Sequence, residues 1–247
     1  MKSSNSFPLD KFIELALYDK NSGYYMKKNP FGVEGDFITS PNITRLFSEV
    51  IAIWIITFWK SIKSPKKFNL LELGAGNGEM MKVIIETLKN FPDCYDSCKF
   101  IIHEKSRLLI KKQKNNLKSE NISWLNDLNK INSNPTILLA NEFFDALPIK
   151  QFFKREEGWF ERFVNIEQFK KAKFNEKKID IKKIEKELNF EISKNQNIIE
   201  YSPDAFKYLN IICNLVKKNT GGILIIDYGY LDPIMSETLQ AINNHKY

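Results

Sequence analysis

Along this chain the spacing of apolar residues changes twice, and the changes divide it into regions. Residues 7–18 put Phe12, Leu15 and Ala16 on one face and predict a short helix. Asp19-Lys20-Asn21-Ser22-Gly23 predicts a turn, and the stretch from Tyr24 to Ile38 reads as extended and punctuated by glycine. Ser40-Pro41 predicts a helix start, with the serine as cap and the proline in the first turn, where no N–H is needed. Beyond it Ile43, Leu46, Phe47, Val50, Ile51, Trp54, Ile55 and Phe58 recur at helical spacing. Ile53, Ile56 and Trp59 make the second half apolar nearly all round, which predicts cover on more than one side. The apolar run Val50–Trp59 is far shorter than the roughly 20 residues that a membrane helix requires. No membrane span is therefore expected, and Lys60 to Lys67 reads as a linker.

From residue 68 the rhythm alternates. Phe68–Leu73, Lys99–His103, Ile122–Trp124 and Thr136–Ala140 predict strands, with helices at Gly78–Asn90 and Ser106–Leu117. Strand–helix alternation of this kind builds a doubly wound, mostly parallel α/β sheet, the Rossmann-like class. Gln151–Lys154 and Phe160–Val164, joined through Glu156-Glu157-Gly158, predict an inserted antiparallel β-hairpin. Residues 165–197 carry no pattern that places them. Asp204–Lys217 predicts a helix, Gly222–Asp227 an apolar strand and Met235–Asn244 a last helix. The expected organisation is a helical and extended segment, 1–67, packing on a core domain, 68–247, with an insertion around 150–200.

Composition alters this picture little. A chain of 247 residues with 43% hydrophobic and 27% charged residues suits one globular α/β domain. The net charge of +7 points weakly to acidic partners such as RNA. However, the basic residues between Lys170 and Lys194 interleave with Glu176, Asp180, Glu185, Glu187 and Glu191, as on a solvated face. Nucleic acid is accordingly not the expected partner. Cys94, Cys98 and Cys213, with His103 and His245, do not make a four-ligand zinc cluster, so no metal is expected.

The chemistry concentrates where the strand Phe68–Leu73 runs into Gly74-Ala75-Gly76-Asn77-Gly78. Glycines there permit left-handed backbone and close approach to a ligand. A dinucleotide fingerprint would put its third glycine where Glu79 stands. Glu72, two residues before the first glycine, is unsuited to a pyrophosphate but suits the sulfonium and ammonium of S-adenosyl-L-methionine. Glu104 closes the next strand, where a carboxylate can accept from both ribose hydroxyls. Gly74, Gly76, Gly78, Glu72 and Glu104 are therefore expected to bind that cofactor.

The following strand ends in Asn141-Glu142-Phe143-Phe144-Asp145-Ala146-Leu147-Pro148, at the carboxyl edge of the sheet where ligands sit. Asn141 is expected beside the cofactor. Glu142 stands where enzymes that methylate nucleobase amines carry proline. Glu142 and Asp145 suit a cationic acceptor such as a guanidinium, and on a helix beginning near Phe144 they would share a face. Both are candidate catalytic residues. The plainer alternative is that one caps that helix and the other is solvated.

With these residues in hand, the sequence resembles the MidA family of class I methyltransferases. The resemblance is carried by Ser22-Gly23-Tyr24-Tyr25, Gly35-Asp36-Phe37-Ile38-Thr39-Ser40-Pro41, the glycine loop, His103-Glu104-Lys105-Ser106, the Asn141–Pro148 segment, Trp159-Phe160-Glu161-Arg162, Glu200-Tyr201-Ser202-Pro203 and Asp227-Tyr228-Gly229. It implies methylation of protein arginine, on a core subunit of respiratory complex I, in the bacterial cytoplasm or the mitochondrial matrix. The start of the chain lacks an Arg-rich leader, which favours the bacterial cytoplasm. The family motif and local chemistry together place Asp36, Thr39 and Ser40 over the methionine part of the cofactor. The resemblance also implies further strands of the sheet that this sequence does not contain, leaving Gly222–Asp227 at an edge. An RNA methyltransferase, or a non-catalytic assembly factor that keeps a cofactor pocket, are the competing readings.

Overall fold

The computed structural model describes residues 5–27, 30, 36, 40–118, 121–166 and 172–241. Its elements are β1 (Asn5–Pro8), α1 (Leu9–Tyr18), α2 (Tyr24–Lys27), α3 (Ser40–Ile43), α4 (Arg45–Ser61), β2 (Phe68–Leu73), α5 (Glu79–Leu88), α6 (Pro92–Ser97), β3 (Cys98–His103), α7 (Arg107–Asn116), β4 (Ile122–Leu125), β5 (Thr136–Asn141), β6 (Lys150–Arg155), β7 (Gly158–Ile166), β8 (Ala172–Ile179), α8 (Ile181–Leu188), β9 (Ile198–Tyr201), α9 (Pro203–Asn219) and β10 (Gly221–Ile226).

Two sheets organise them. The first is wholly parallel, in the order β10-β5-β2-β3-β4. All six residues of β2 are buried, as expected of a strand covered on both faces. One face packs against α4 and α5, through Ile51, Ile55, Met81, Ile84, Leu70 and Ile102. The other packs against α9, through Leu71, Leu73, Ile101, Leu138, Tyr208 and Ile212. Among the described residues β10 pairs on one side only, and Ile225 on it is 43% exposed.

The expected hairpin is the centre of a larger antiparallel sheet. β7 pairs with β6, β1 and β8, and β9 closes on β6. The unpatterned stretch after residue 165 thus supplies β8 and α8. β8 lacked a signal because seven of its eight residues are exposed or polar, leaving no clear alternation to read.

Three other expectations are corrected. Ser40 does not cap the long helix: α3 is a single turn, and the hydroxyl of Thr44 accepts from Leu46 N–H to cap α4. Ile53 is 49% exposed although Ile56 and Trp59 are buried, so α4 is covered on one side. Leu46, Val50 and Ile53 instead border an open groove of about 470 Å³ between α4 and α5. No helix forms over 235–241, and the remainder of the helix expected there lies outside the described residues. The N–H of Met235 donates to the Gln196 side chain, before β9, and that of Thr238 to the Glu200 side chain, on β9, so these partners replace helical ones.

Candidate functional site

The glycine loop leaves β2 with Gly74, Gly76 and Gly78 at φ of 64°, 53° and 84°, all left-handed. Gly74 N–H donates to the His103 carbonyl at 2.9 Å, and Gly78 is the residue before the first turn of α5. Glycine is the residue that adopts this backbone without strain. The loop therefore turns at the carboxyl end of the sheet, with Gly74, Gly76 and Asn77 half-buried there.

Two buried acceptors face no donor there. Glu72 is 3% exposed and its Oε2 has no hydrogen-bond partner among the described residues; Asn141 Oδ1, at the end of the neighbouring β5, has none either. Burial, with a smaller contribution from the Glu104 charge, raises the Glu72 carboxyl to about 8. A buried acceptor left unmatched costs about 1–3 kcal/mol. The pair is therefore complementary to a ligand that brings N–H donors and positive charge.

Glu104 is held differently. Its Oε1 accepts from Ser106 N–H at 2.9 Å and its Oε2 from Gln113 Nε2 at 3.2 Å. Desolvation raises this carboxyl too, against the hydrogen bonds that lower it. Gln113 was not expected in the site. It is fully buried on α7, donates also to the Gly76 carbonyl at 2.9 Å, and accepts from Trp124 Nε1 at 2.9 Å. It ties the glycine loop to the second acid. The one sequence signal was its place four residues after Leu109, on the inward face of a helix otherwise rich in lysine.

The segment after β5, residues 142–148, is a turn without helix, so the helical face expected to join Glu142 and Asp145 does not exist. Glu142 sits at φ 48° and donates its N–H to the Ile226 carbonyl at 2.8 Å. Its Oε1 accepts from Ser40 N–H at 3.1 Å and from the Ser40 hydroxyl at 3.2 Å. Asp145 is open to solvent on one side, and its carboxyl is raised to about 6 by desolvation on the other, then by Asp227 and Glu142. Among the described residues no lysine, arginine or histidine is ion-paired with any of these three.

The N-terminal segment reaches the same region. Ser106 donates its hydroxyl to the Tyr25 carbonyl at 2.6 Å, Tyr18 and Tyr25 stack at 5.4 Å, and the Lys105 ammonium lies over the rings of both Tyr18 and Tyr208. Asp36 is buried and accepts from the Tyr24 hydroxyl. Thr39 lies outside the described residues. Tyr25 lies in one of the resemblance motifs, but Tyr18 and Tyr208 carried no sequence signal, because separate elements bring them together.

A parallel α/β sheet with a left-handed glycine loop after β2 and a carboxylate closing β3 is the architecture of class I methyltransferases. The chain belongs to the family described as "Putative S-adenosyl-L-methionine-dependent methyltransferase", whose model matches residues 50–247. This bears out the MidA resemblance. The chain is 27% identical to the mitochondrial protein arginine methyltransferase NDUFAF7 of Homo sapiens and 25% identical to that of Xenopus laevis, with all of the chain covered in both comparisons. It spans 61% and 62% of the length of those relatives. A Burkholderia thailandensis protein solved with S-adenosyl-homocysteine shares the fold, with a TM-score of 0.74 at 21% identity, covering 91% of this chain and 59% of that one. Among the described residues no helix is long and apolar enough to cross a membrane.

Proposed function

We propose that this chain binds S-adenosyl-L-methionine at the glycine loop and directs its methyl group to the guanidinium of a protein arginine. The observation that carries the cofactor reading is the unmatched, buried Glu72 Oε2 beside three left-handed glycines. Gly74, Gly76 and Gly78 would admit the ligand, Glu72 and Asn141 would receive its ammonium, and Glu104 its ribose hydroxyls. Asp36, Thr39 and Ser40 complete the set on the methionine side. Bound S-adenosyl-L-methionine supplies an electrophilic methyl group on a sulfonium centre.

The acceptor reading rests on the carboxylates Glu142 and Asp145. A guanidinium stays protonated, with a pKa above about 12, and must lose a proton as its nitrogen takes the methyl group. Glu142 and Asp145 orient that cation and accept the proton, and holding the nitrogen in line supplies most of the barrier reduction. The relatives, which are named protein arginine methyltransferases, support this acceptor. The family resemblance extends the proposal to a core subunit of complex I, met in the bacterial cytoplasm or, as with those relatives, in mitochondria.

Radiolabelled methyl transfer into separated protein and RNA fractions tests the proposal. Label in methylarginine is expected. Label in RNA would favour an RNA methyltransferase, and cofactor binding without label in either fraction would favour a binding module.

A further inference from the structure

A third carboxylate stands behind Glu142 and Asp145. Asp227 follows β10, and its side chain turns back to the loop after β5. Its Oδ2 accepts from the N–H groups of Phe144 at 3.0 Å and Asp145 at 3.2 Å, and its Oδ1 accepts from Tyr228 N–H at 2.9 Å. The first two bonds close 83 and 82 residues of chain. Hydrogen bonds from N–H groups to a carboxylate are of the stronger, charge-assisted class.

The turn is pinned from other directions as well. Glu142 N–H bonds to the Ile226 carbonyl, and the Phe143 ring lies so close to Gly74 that a Cβ there would meet its Cδ2 at 2.8 Å. The segment that carries both proposed acceptor carboxylates is thus held between the end of β10 and the glycine loop. Left-handed backbone at a non-glycine residue such as Glu142 persists only where surrounding bonds enforce it.

We propose that Asp227 is a positioning residue, whose carboxylate fixes the 142–145 turn and so aims Glu142 and Asp145 at the acceptor. The proposal rests on the acceptor reading of those two residues. It requires an acceptor at the Oδ2 position, which takes both turn N–H groups. An asparagine that turns its amide oxygen towards Phe144 and Asp145 would keep both bonds to the turn, so the test removes the side-chain acceptor altogether. Asp227→Ala therefore leaves the Phe144 and Asp145 N–H groups without this acceptor.

Three measurements on Asp227→Ala and on the wild-type chain test it: amide hydrogen exchange at Phe144 and Asp145, S-adenosyl-homocysteine affinity by calorimetry, and methyl-transfer kinetics. Exchange at the two amides is expected to accelerate at least about 10-fold, as for local opening of the turn. S-adenosyl-homocysteine affinity should change little. The kcat should fall by about 100-fold, the scale of a misplaced reacting group, and fall by more than KM rises. Unchanged exchange overturns the proposal, and so does faster exchange with wild-type kcat. If the variant does not fold, hydrogen exchange of the wild-type chain replaces it: the Phe144 and Asp145 amides must exchange slowly and at a common rate, and fast exchange at either overturns the proposal. If the wild-type chain methylates no protein arginine, the acceptor reading fails, and the exchange rates alone decide whether Asp227 holds the turn.

Discussion

Glu142 accepts two hydrogen bonds from Ser40 on the same carboxylate oxygen, at 3.1 Å from the backbone N–H and 3.2 Å from the hydroxyl, across 102 residues of chain. The contact joins the start of α3 to the end of β5 at the carboxyl edge of the sheet, and it is one of the bonds that hold Glu142 at its positive φ.

The same geometry makes Glu142→Gln a clean test of catalysis. The glutamine amide oxygen can still accept both Ser40 bonds, so the turn should keep its shape while the charge is lost. S-adenosyl-homocysteine affinity is expected to stay at the wild-type value, and methyl transfer to fall by at least about 100-fold. Wild-type transfer rates in this variant would remove Glu142 from the mechanism.

Gly76→Val should abolish cofactor binding. At φ 53° a β-branched residue is strained by roughly 1–2 kcal/mol, and a side chain added to the loop would stand where the proposed cofactor must approach the backbone. Gly76 lies between β2 and α5 and belongs to neither, so the circular dichroism spectrum should remain that of the wild type. Calorimetry showing unchanged affinity would dissociate the loop from the cofactor.

Glu104→Ala should weaken S-adenosyl-L-methionine binding by about 1.5–3 kcal/mol, the range for hydrogen bonds to a charged group. Gln113→Leu should weaken it in the same direction, because it frees both the Glu104 carboxylate and the Gly76 carbonyl. If Glu104→Ala binds as well as the wild type, the ribose contact lies elsewhere.

Glu72 gives a pH signature. Its carboxyl is raised from 4.5 to about 8 by burial and then by Glu104. Between those values the folded chain holds a proton that the unfolded chain has released, so this group's contribution to stability falls as pH rises through the window. Glu72→Gln cannot ionise, and its melting temperature relative to the wild type should climb from pH 4.5 to pH 8. Cofactor binding at pH 7 should also release most of a proton, read from binding enthalpies in buffers of different ionisation heat. No proton release, with parallel melting profiles, would show that Glu72 does not meet the ammonium.

The alternation of strands and helices from residue 68, the glycine loop and both acids that flank it were legible in the sequence. They are local signals: an apolar strand, a turn that only glycine makes without strain, and a charged residue at a strand end each follow from the chemistry of a few adjacent residues. What the tertiary structure decided is everything that depends on groups distant in sequence. The turn at 142–148 is not a helix because Asp227, 82 residues beyond Asp145, takes two of its N–H groups. Ser40, read as a cap, instead gives its hydroxyl to Glu142. Gln113 enters the site because α7 packs beside the loop, and β8 is a strand because β7 offers it a partner, not because its own residues alternate. A hydrogen bond has no period along the chain, so the groups that hold the site in place could be read only once the strands had brought them together.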